Sequence, residues 1–210
     1  MQIAPGECNL VVDFTPHRGA QLLHMSDAIT LMQFRIAAAL VSDPRKLPAT
    51  LRAAPRIAES AASRIGRMTL DKQQNMVAES MGMLLSKTAW RMPSTAKPVL
   101  DSTEIWELVN LTDDVHPVHL HIVRLQILDR RRFAAFQFMT FGTLRFTNPA
   151  TGPEANELGW KDMARVNAKT LTRSIVPSAG YPGRYVWHYH ILEHEDDEMM
   201  RPYEILPASS

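Results

Sequence analysis

The chain has 210 residues, of which 45% are hydrophobic and 21% charged, with a formal net charge of +1 at pH 7. This composition is that of a globular protein, and the near-neutral charge excludes a basic surface for nucleic acid or for an anionic membrane. No apolar run reaches the roughly 20 residues that a membrane-spanning helix needs. The first residues show no signal peptide, and the single cysteine, Cys8, excludes an internal disulfide.

The first hundred residues contain two predicted strands and a predicted linker. Branched and aromatic residues predict strands at 8–14 and 31–37. A proline-rich, basic stretch at 41–55 is typical of a linker between domains. The composition of residues 56–100 would tolerate a helix, but glycine and proline interrupt it.

The rest of the chain has the pattern of a β-protein. Alternating apolar and polar residues predict strands at 104–109, 118–125, 170–176 and 184–191. Turns rich in glycine, proline and asparagine separate them, and the Arg130–Arg132 run is predicted to lie in a solvated turn. Several short strands with such turns predict an all-β sandwich.

The eight histidines are unevenly distributed, since six of them form two clusters: His116, His119, His121, His188, His190 and His194. Successive side chains of a strand point to opposite faces, so the two members of each His-x-His pair share a face. If the two strands are neighbours, four imidazoles converge on one patch. Such a set suits a metal that prefers nitrogen ligands, mainly copper or zinc.

The remaining cluster members point to a second kind of site. Tyr189 faces away from the two His-x-His pairs. His116 lies three residues before His119, an odd number, and is therefore expected on the same face as Tyr189. With His194 and Met199 on the following loop, two histidines and a thioether match a blue-copper site, which also needs a cysteine thiolate. A single His-x-His pair is more often solvated or in the core, but two such pairs with these additions are hard to explain by packing.

The two motifs that carry these residues, His116–His121 (HPVHLH) and Trp187–Pro202 (WHYHILEHEDDEMMRP), resemble the HPxHLH and HCHxxxHxxxxM motifs of multicopper oxidases. The surrounding sequence is most similar to the bacterial spore-coat laccase and bilirubin-oxidase branch. This resemblance implies a cupredoxin-like Greek-key β-sandwich. Residues 1–40 would be the trailing strands of a partial cupredoxin domain, 41–56 a linker, and 57–207 the carboxy-terminal copper-binding cupredoxin domain.

The resemblance also implies a role for each clustered residue. Type 1 copper would be bound by His116 and His194 with Met199 as axial neighbour, type 2 copper by His119, and the type 3 pair by His121, His188 and His190. Glu195 resembles an acid that relays protons toward dioxygen, although a solvated acid among its acidic neighbours is an equal alternative. Trp187 is expected to be a core residue rather than an electron relay.

Two departures from the family pattern limit what the chain is expected to do. The family's trinuclear site takes eight histidines, four from each end of the enzyme, so this chain is interpreted as truncated and as supplying half a site. A homo-oligomer or a complementing amino-terminal cupredoxin domain would supply the rest; His17 and His24 belong to no such pair. Tyr189 stands where the family has the type 1 cysteine, and a phenol, with an ordinary pKa of about 10, is a poor substitute for a thiolate.

Three functions therefore stay open from the sequence. The leading hypothesis is a laccase-like, copper-dependent oxidoreductase for small phenolic substrates, impaired at its type 1 site, without nucleic-acid or membrane partners. The second is a copper-binding or purely structural module without redox turnover. The third is hydrolysis by a histidine-bound zinc, since three-nitrogen zinc sites with an open position are catalytic. The resemblance suggests a cytoplasmic or spore-coat-like location.

Overall fold

A computed structural model of the chain describes residues 14–26, 29–39, 46, 53–74, 81–189 and 200–208. The chain forms two compact units, one within Asn9–Arg52 and one that contains Ala53–Ser210. The division into 1–40, 41–56 and 57–207 stays a prediction, because most of the expected linker lies outside the described residues.

The smaller unit contains a β-hairpin. Its strands β1 (Gln21–Ser26) and β2 (Ile29–Arg35) pair antiparallel, after a short 3-10 turn at Thr15–His17. The strand predicted at 31–37 is confirmed with slightly different ends. Of the strand predicted at 8–14, all but Phe14 lies outside the described residues.

The regular secondary structure described in the larger unit is mostly β-strand. Its strands are β3 (Arg64–Gln74), β4 (Met81–Leu85), β5 (Thr103–Asn110), β6 (His116–Leu120), β7 (Gln126–Arg132), β8 (Met163–Val166), β9 (Thr170–Pro177), β10 (Gly183–Tyr189) and β11 (Met200–Ile205). One short helix, α1 (Ala135–Phe141), follows β7. The predicted all-β fold class is confirmed, and no described helix is long and apolar enough to cross a membrane.

Two sheets face each other across the core of the larger unit. One has the strand order β4-β3-β5-β9-β7, in which β3 and β5 are parallel, and the other has the order β11-β10-β6-β8. Trp106 of the first sheet contacts Trp187 and Tyr203 of the second edge-on, with ring centroids 6.1 and 5.6 Å apart. Burial of such large aromatic rings is a main source of stability in a core this size. Trp187 is 2% exposed, which confirms its predicted place in the core.

Two segments owe their structure to partners that lie far away in sequence, and for the first of them the prediction was wrong. The Arg130–Arg132 run is the end of β7 rather than a solvated turn. Arg130 is buried because the Glu157 carboxylate accepts two hydrogen bonds from its guanidinium, both 2.7 Å long. The segment 56–100, whose composition indicated no definite element, contains β3 and β4, since β3 gains its hydrogen bonds by pairing with β5.

The strand predicted at 118–125 ends early. β6 stops at Leu120, and Ile122 has a φ of +65°, a backbone conformation that branched side chains rarely adopt. The chain therefore turns sharply just after His121. This turn leaves His121 exposed just beyond the end of β6.

Candidate metal centre

Strand pairing brings the two histidine motifs together. β6 and β10 are antiparallel neighbours, and His119 lies directly opposite His188 in their register. His121 follows β6, where its backbone N–H donates to the Val186 carbonyl at 3.0 Å. The hydroxyl of Tyr203 donates to the His121 carbonyl, so the backbone N–H and the backbone carbonyl of His121 are both hydrogen-bonded. Three of the four imidazoles expected to converge therefore do so.

These three residues, His119, His121 and His188, form the histidine cluster. Their ring centroids are 5.0, 5.4 and 5.1 Å apart, and one ligand nitrogen from each lies within 4.8 Å of the others. The Nε2 atoms of His121 and His188 are 3.1 Å apart. Two nitrogens that each lie about 2.0 Å from one ion at a tetrahedral angle are separated by about 3.3 Å. The spacing of the cluster thus fits a metal ion with imidazole ligands, as copper and zinc prefer.

Hydrogen bonds to carbonyl groups orient two of the imidazoles for this role. Nδ1 of His119 lies 3.1 Å from the Asp162 carbonyl, and Nδ1 of His188 lies 3.0 Å from the Tyr189 carbonyl. A carbonyl only accepts, so each Nδ1 carries the proton and donates it. Nε2 is then the unprotonated nitrogen in both rings. Metal-binding histidines are usually held by such a bond from their other nitrogen.

The environment also favours the neutral form of His119. Burial lowers the pKa of this imidazole, and the neighbouring His121 and His188 lower it further, while Asp162 opposes them. The net effect is a pKa below the usual histidine value of 6.5. A metal binds the unprotonated ring, so the lowered pKa keeps the ligand form present at neutral pH.

Tyr189 and His116 lie together on the other side of the strands, as predicted. Tyr189 is 1% exposed and His116 is fully buried. Their ring centroids are 4.5 Å apart at 66°, and the Tyr189 hydroxyl donates to the Val115 carbonyl at 3.1 Å. His116 Nε2 lies 2.5 Å from the Thr112 hydroxyl. The structure thus separates His116 from the histidine cluster.

Four predicted site residues, His190, His194, Glu195 and Met199, lie outside the described residues. The individual copper roles given to the site residues therefore stay predictions. His17 is exposed in the 3-10 turn of the smaller unit, and His24 is on β1 of the same unit.

Sequence reasoning missed the residues that hold the imidazoles in place. Asp162 and Tyr203 act on the cluster through a backbone carbonyl and a hydroxyl. No residue type is diagnostic of a carbonyl acceptor, so Asp162 gave no signal. Thr112 lies only four residues before His116, but it belongs to no motif.

A hollow of about 380 Å³ lies beside the turn that follows His121. Its lining includes Ile122 and Trp160, which are 53% and 37% exposed, and the side chain of Arg124. Large apolar side chains exposed together often mark a surface that another molecule covers.

Residues 64–209 match the family model described as multicopper oxidase. The chain is 35% identical to a laccase of Bacillus subtilis, over 97% of this chain and 42% of the relative. It is 32% identical to a laccase of Haloferax volcanii, over 93% of this chain and 33% of that protein. The chain thus spans about two fifths or less of the length of these relatives.

The fold is also that of a solved multicopper oxidase. The structure superposes on the multicopper oxidase of Pediococcus acidilactici with a TM-score of 0.67, covering 91% of this chain and 36% of that one. Sequence identity in this superposition is 24%, so the likeness concerns the fold. It confirms the predicted cupredoxin-like architecture.

Proposed function

The chain belongs to the multicopper oxidase family, and from that premise we propose that it is a copper-binding domain of a laccase-like oxidoreductase with an altered type 1 site. The observation that carries the proposal is the histidine cluster. Three imidazoles from two neighbouring strands lie with ligand nitrogens within 4.8 Å, and hydrogen bonds to carbonyls fix two of them in the metal-binding tautomer.

In this proposal His119, His121 and His188 hold copper, with His190 as a further ligand. His119 serves the type 2 ion, and the other three serve the type 3 pair. Copper bound there would supply one-electron chemistry with dioxygen, with small phenols as the proposed electron donors. The chain's own residues hold the ligands in place: the Asp162 carbonyl orients His119, and Tyr203 fixes the backbone of His121.

The residues of the other face support an impaired type 1 site. The proposal treats His116, His194 and Met199 as what remains of the type 1 ligand set, with Tyr189 where the family has cysteine. A phenol has no soft thiolate sulfur to conduct electrons from that site to the cluster. Ordinary laccase turnover by this chain alone is not expected. Glu195 would carry protons toward dioxygen in the same scheme.

A partner would complete the ligand set. The three described imidazoles are fewer than the eight of a trinuclear site, and His121 is exposed beside the apolar hollow of Ile122 and Trp160. A second copy of the chain or a complementing amino-terminal cupredoxin domain would cover this surface and bring further histidines. Light scattering with and without copper tests the first choice, since self-association should rise with copper loading and a copper-loaded monomer would exclude it.

Metal binding by defined variants tests the proposal directly. Purified protein is loaded with copper, freed of excess metal and analysed for bound copper, followed by dioxygen uptake with a phenol. His121→Ala and His188→Ala should each lower the copper content and affinity by at least tenfold, because each removes a ligand. His17→Ala is the matched control, since His17 is an exposed histidine of the smaller unit.

The same experiment separates the alternatives. Copper retained without dioxygen uptake would favour a binding module without redox turnover. The three-nitrogen arrangement also fits zinc with an open position. Stoichiometric zinc, together with an esterase activity that a chelator abolishes, would favour a hydrolase. Equal copper content in wild type and in both cluster variants would contradict the proposal.

A further inference from the structure

We infer that Tyr189 and His116 form a hydrogen-bonded aromatic plug that closes the type 1 position, so that this part of the domain is built to be stable without metal. The inference rests on the proposed function for the place of the type 1 position and for the statement that copper is held at the histidine cluster. It goes further than the loss of a ligand, because it gives Tyr189 a structural role in place of the missing copper site.

The hydroxyl of Tyr189 is already used by the protein. It donates to the Val115 carbonyl at 3.1 Å, and the residue is 1% exposed. A phenol binds copper through its deprotonated oxygen, whereas donation to a carbonyl requires that the proton stay in place. Coordination by Tyr189 would therefore break a partly buried hydrogen bond and leave the Val115 carbonyl without this donor, at a cost in free energy.

The size of the side chain argues in the same direction. A cysteine at this position would place its sulfur one bond beyond Cβ and leave the space beyond it for an ion. The phenol ring begins at the same bond and extends through that space. Its centroid is 4.5 Å from that of His116, which is direct edge-to-face contact. This contact closes the space between the two rings.

The side chains of Thr112 and Asn110 also hold the His116 ring in place. Its Nε2 contacts the Thr112 hydroxyl, which in turn donates to the Asn110 side-chain carbonyl at 2.8 Å. The Asn110 amide donates to three backbone carbonyls, those of Asp114, Val166 and Asn167. Asn110 is fully buried. These hydrogen bonds of Asn110 and Thr112 hold this part of the core in place without any metal.

Two substitutions test the plug in metal-free protein. Tyr189→Phe keeps the ring and removes the hydroxyl, while Tyr189→Cys removes the ring. Tyr185→Phe is the matched control, because Tyr185 also donates to a backbone carbonyl, that of Tyr181, but in a less buried position. The measurements are the thermal midpoint without metal, the copper content after loading, and the visible spectrum.

If Tyr189 and His116 form the plug, Tyr189→Phe should lower the thermal midpoint of the metal-free protein by about 2–4 °C, and Tyr185→Phe should lower it by less. Tyr189→Cys should lower the metal-free midpoint more than Tyr189→Phe, because it leaves a cavity. Copper content and visible spectrum should be the same in wild type and Tyr189→Phe. A phenolate-to-copper absorption band that Tyr189→Phe abolishes, or a copper content that falls in this variant, would overturn the inference. So would a metal-free midpoint unchanged in Tyr189→Phe.

The two proposals fail in different ways. Wild-type protein that binds no copper would defeat the proposed function, whereas the loss of metal-free stability in Tyr189→Phe would still support the plug. Copper bound at the cluster together with a phenolate band would support the proposed function and defeat the plug.

Discussion

The His119 imidazole is held in one orientation by a hydrogen bond, and its pKa is lowered. Its Nδ1 donates to the Asp162 carbonyl, and burial together with two neighbouring imidazoles lowers its pKa. In the folded chain the ring therefore takes up a proton only at lower pH than in the unfolded chain, where its pKa is about 6.5. Between the two pKa values the unfolded state binds more protons, so the free energy of unfolding rises with pH.

From this difference we predict that metal-free protein loses stability as the pH falls below about 6.5. His119→Asn should remove the part of this loss that the imidazole causes. The measurement is urea unfolding at pH 7.5 and at pH 5.5 for wild type, His119→Asn and the exposed-histidine control His17→Asn. The drop in the free energy of unfolding between pH 7.5 and pH 5.5 should be smaller for His119→Asn than for the other two proteins. Equal drops in all three proteins would show that His119 does not cause this loss.

Among the strands, the alternation of polar and apolar residues located β5, β9 and β10 well, and β5 and β9 prove to be mostly buried on both faces. The same period placed His119, His121 and His188 on one patch, and placed Tyr189 with His116 on the other side. Alternation did not reveal where β6 ends. The turn there depends on the φ of Ile122 and on a hydroxyl from Tyr203, far along the chain.

β3 and the end of β7 are two of the elements that were not predicted. Each is stabilised by residues that are distant in sequence. β3 is half of a parallel pair with β5, and its own alternation of polar and apolar residues is confined to the short stretch 67–70. The end of β7 carries three arginines that look solvated, but Glu157, in a turn 27 residues after Arg130, neutralises that arginine inside the protein. Such pairings are a property of the tertiary structure, so a single sequence does not display them.

The Arg130–Glu157 pair should stabilise the folded chain, since it joins β7 to the turn before β8. Both side chains are 8% exposed, and two hydrogen bonds join them. Removing one partner of a buried pair leaves the other charge uncompensated. Glu157→Gln should therefore lower the free energy of unfolding by about 3 kcal/mol.

The exposed pair Lys97–Glu204 provides the control, with side-chain exposures of 48% and 41%. Glu204→Gln should change the free energy of unfolding by less than about 1 kcal/mol, because water screens this pair. Denaturant unfolding of both variants checks the comparison. Similar losses in the two variants would show that the Arg130–Glu157 pair does not stabilise the fold as a buried pair.

For the molecule as a whole, metal binding should be linked to folding. All four tryptophans, Trp90, Trp106, Trp160 and Trp187, lie in the unit that contains the histidine cluster. Tryptophan fluorescence therefore reports the unfolding of that unit. Because the cluster exists only when β6 and β10 are paired, a bound ion stabilises the folded state over the unfolded one.

We predict that free copper at 100 times its dissociation constant raises the free energy of unfolding by about 2.7 kcal/mol. The fluorescence-detected thermal midpoint should rise by about 5–10 °C. His121→Ala should abolish most of this rise without abolishing folding, since His121 is exposed. A copper-induced rise of the same size in His121→Ala would mean that the stabilising ion binds elsewhere.

Anomalous scattering at the copper absorption edge, from crystals of copper-loaded protein, measures whether the imidazoles of the histidine cluster hold copper. We expect a ring nitrogen of each of His119, His121 and His188 to lie about 2 Å from an anomalous peak, with His119 on a different ion from the other two, and no peak between the rings of Tyr189 and His116. An ordered cluster without any peak among its three imidazoles, in crystals grown with excess copper, would contradict this expectation.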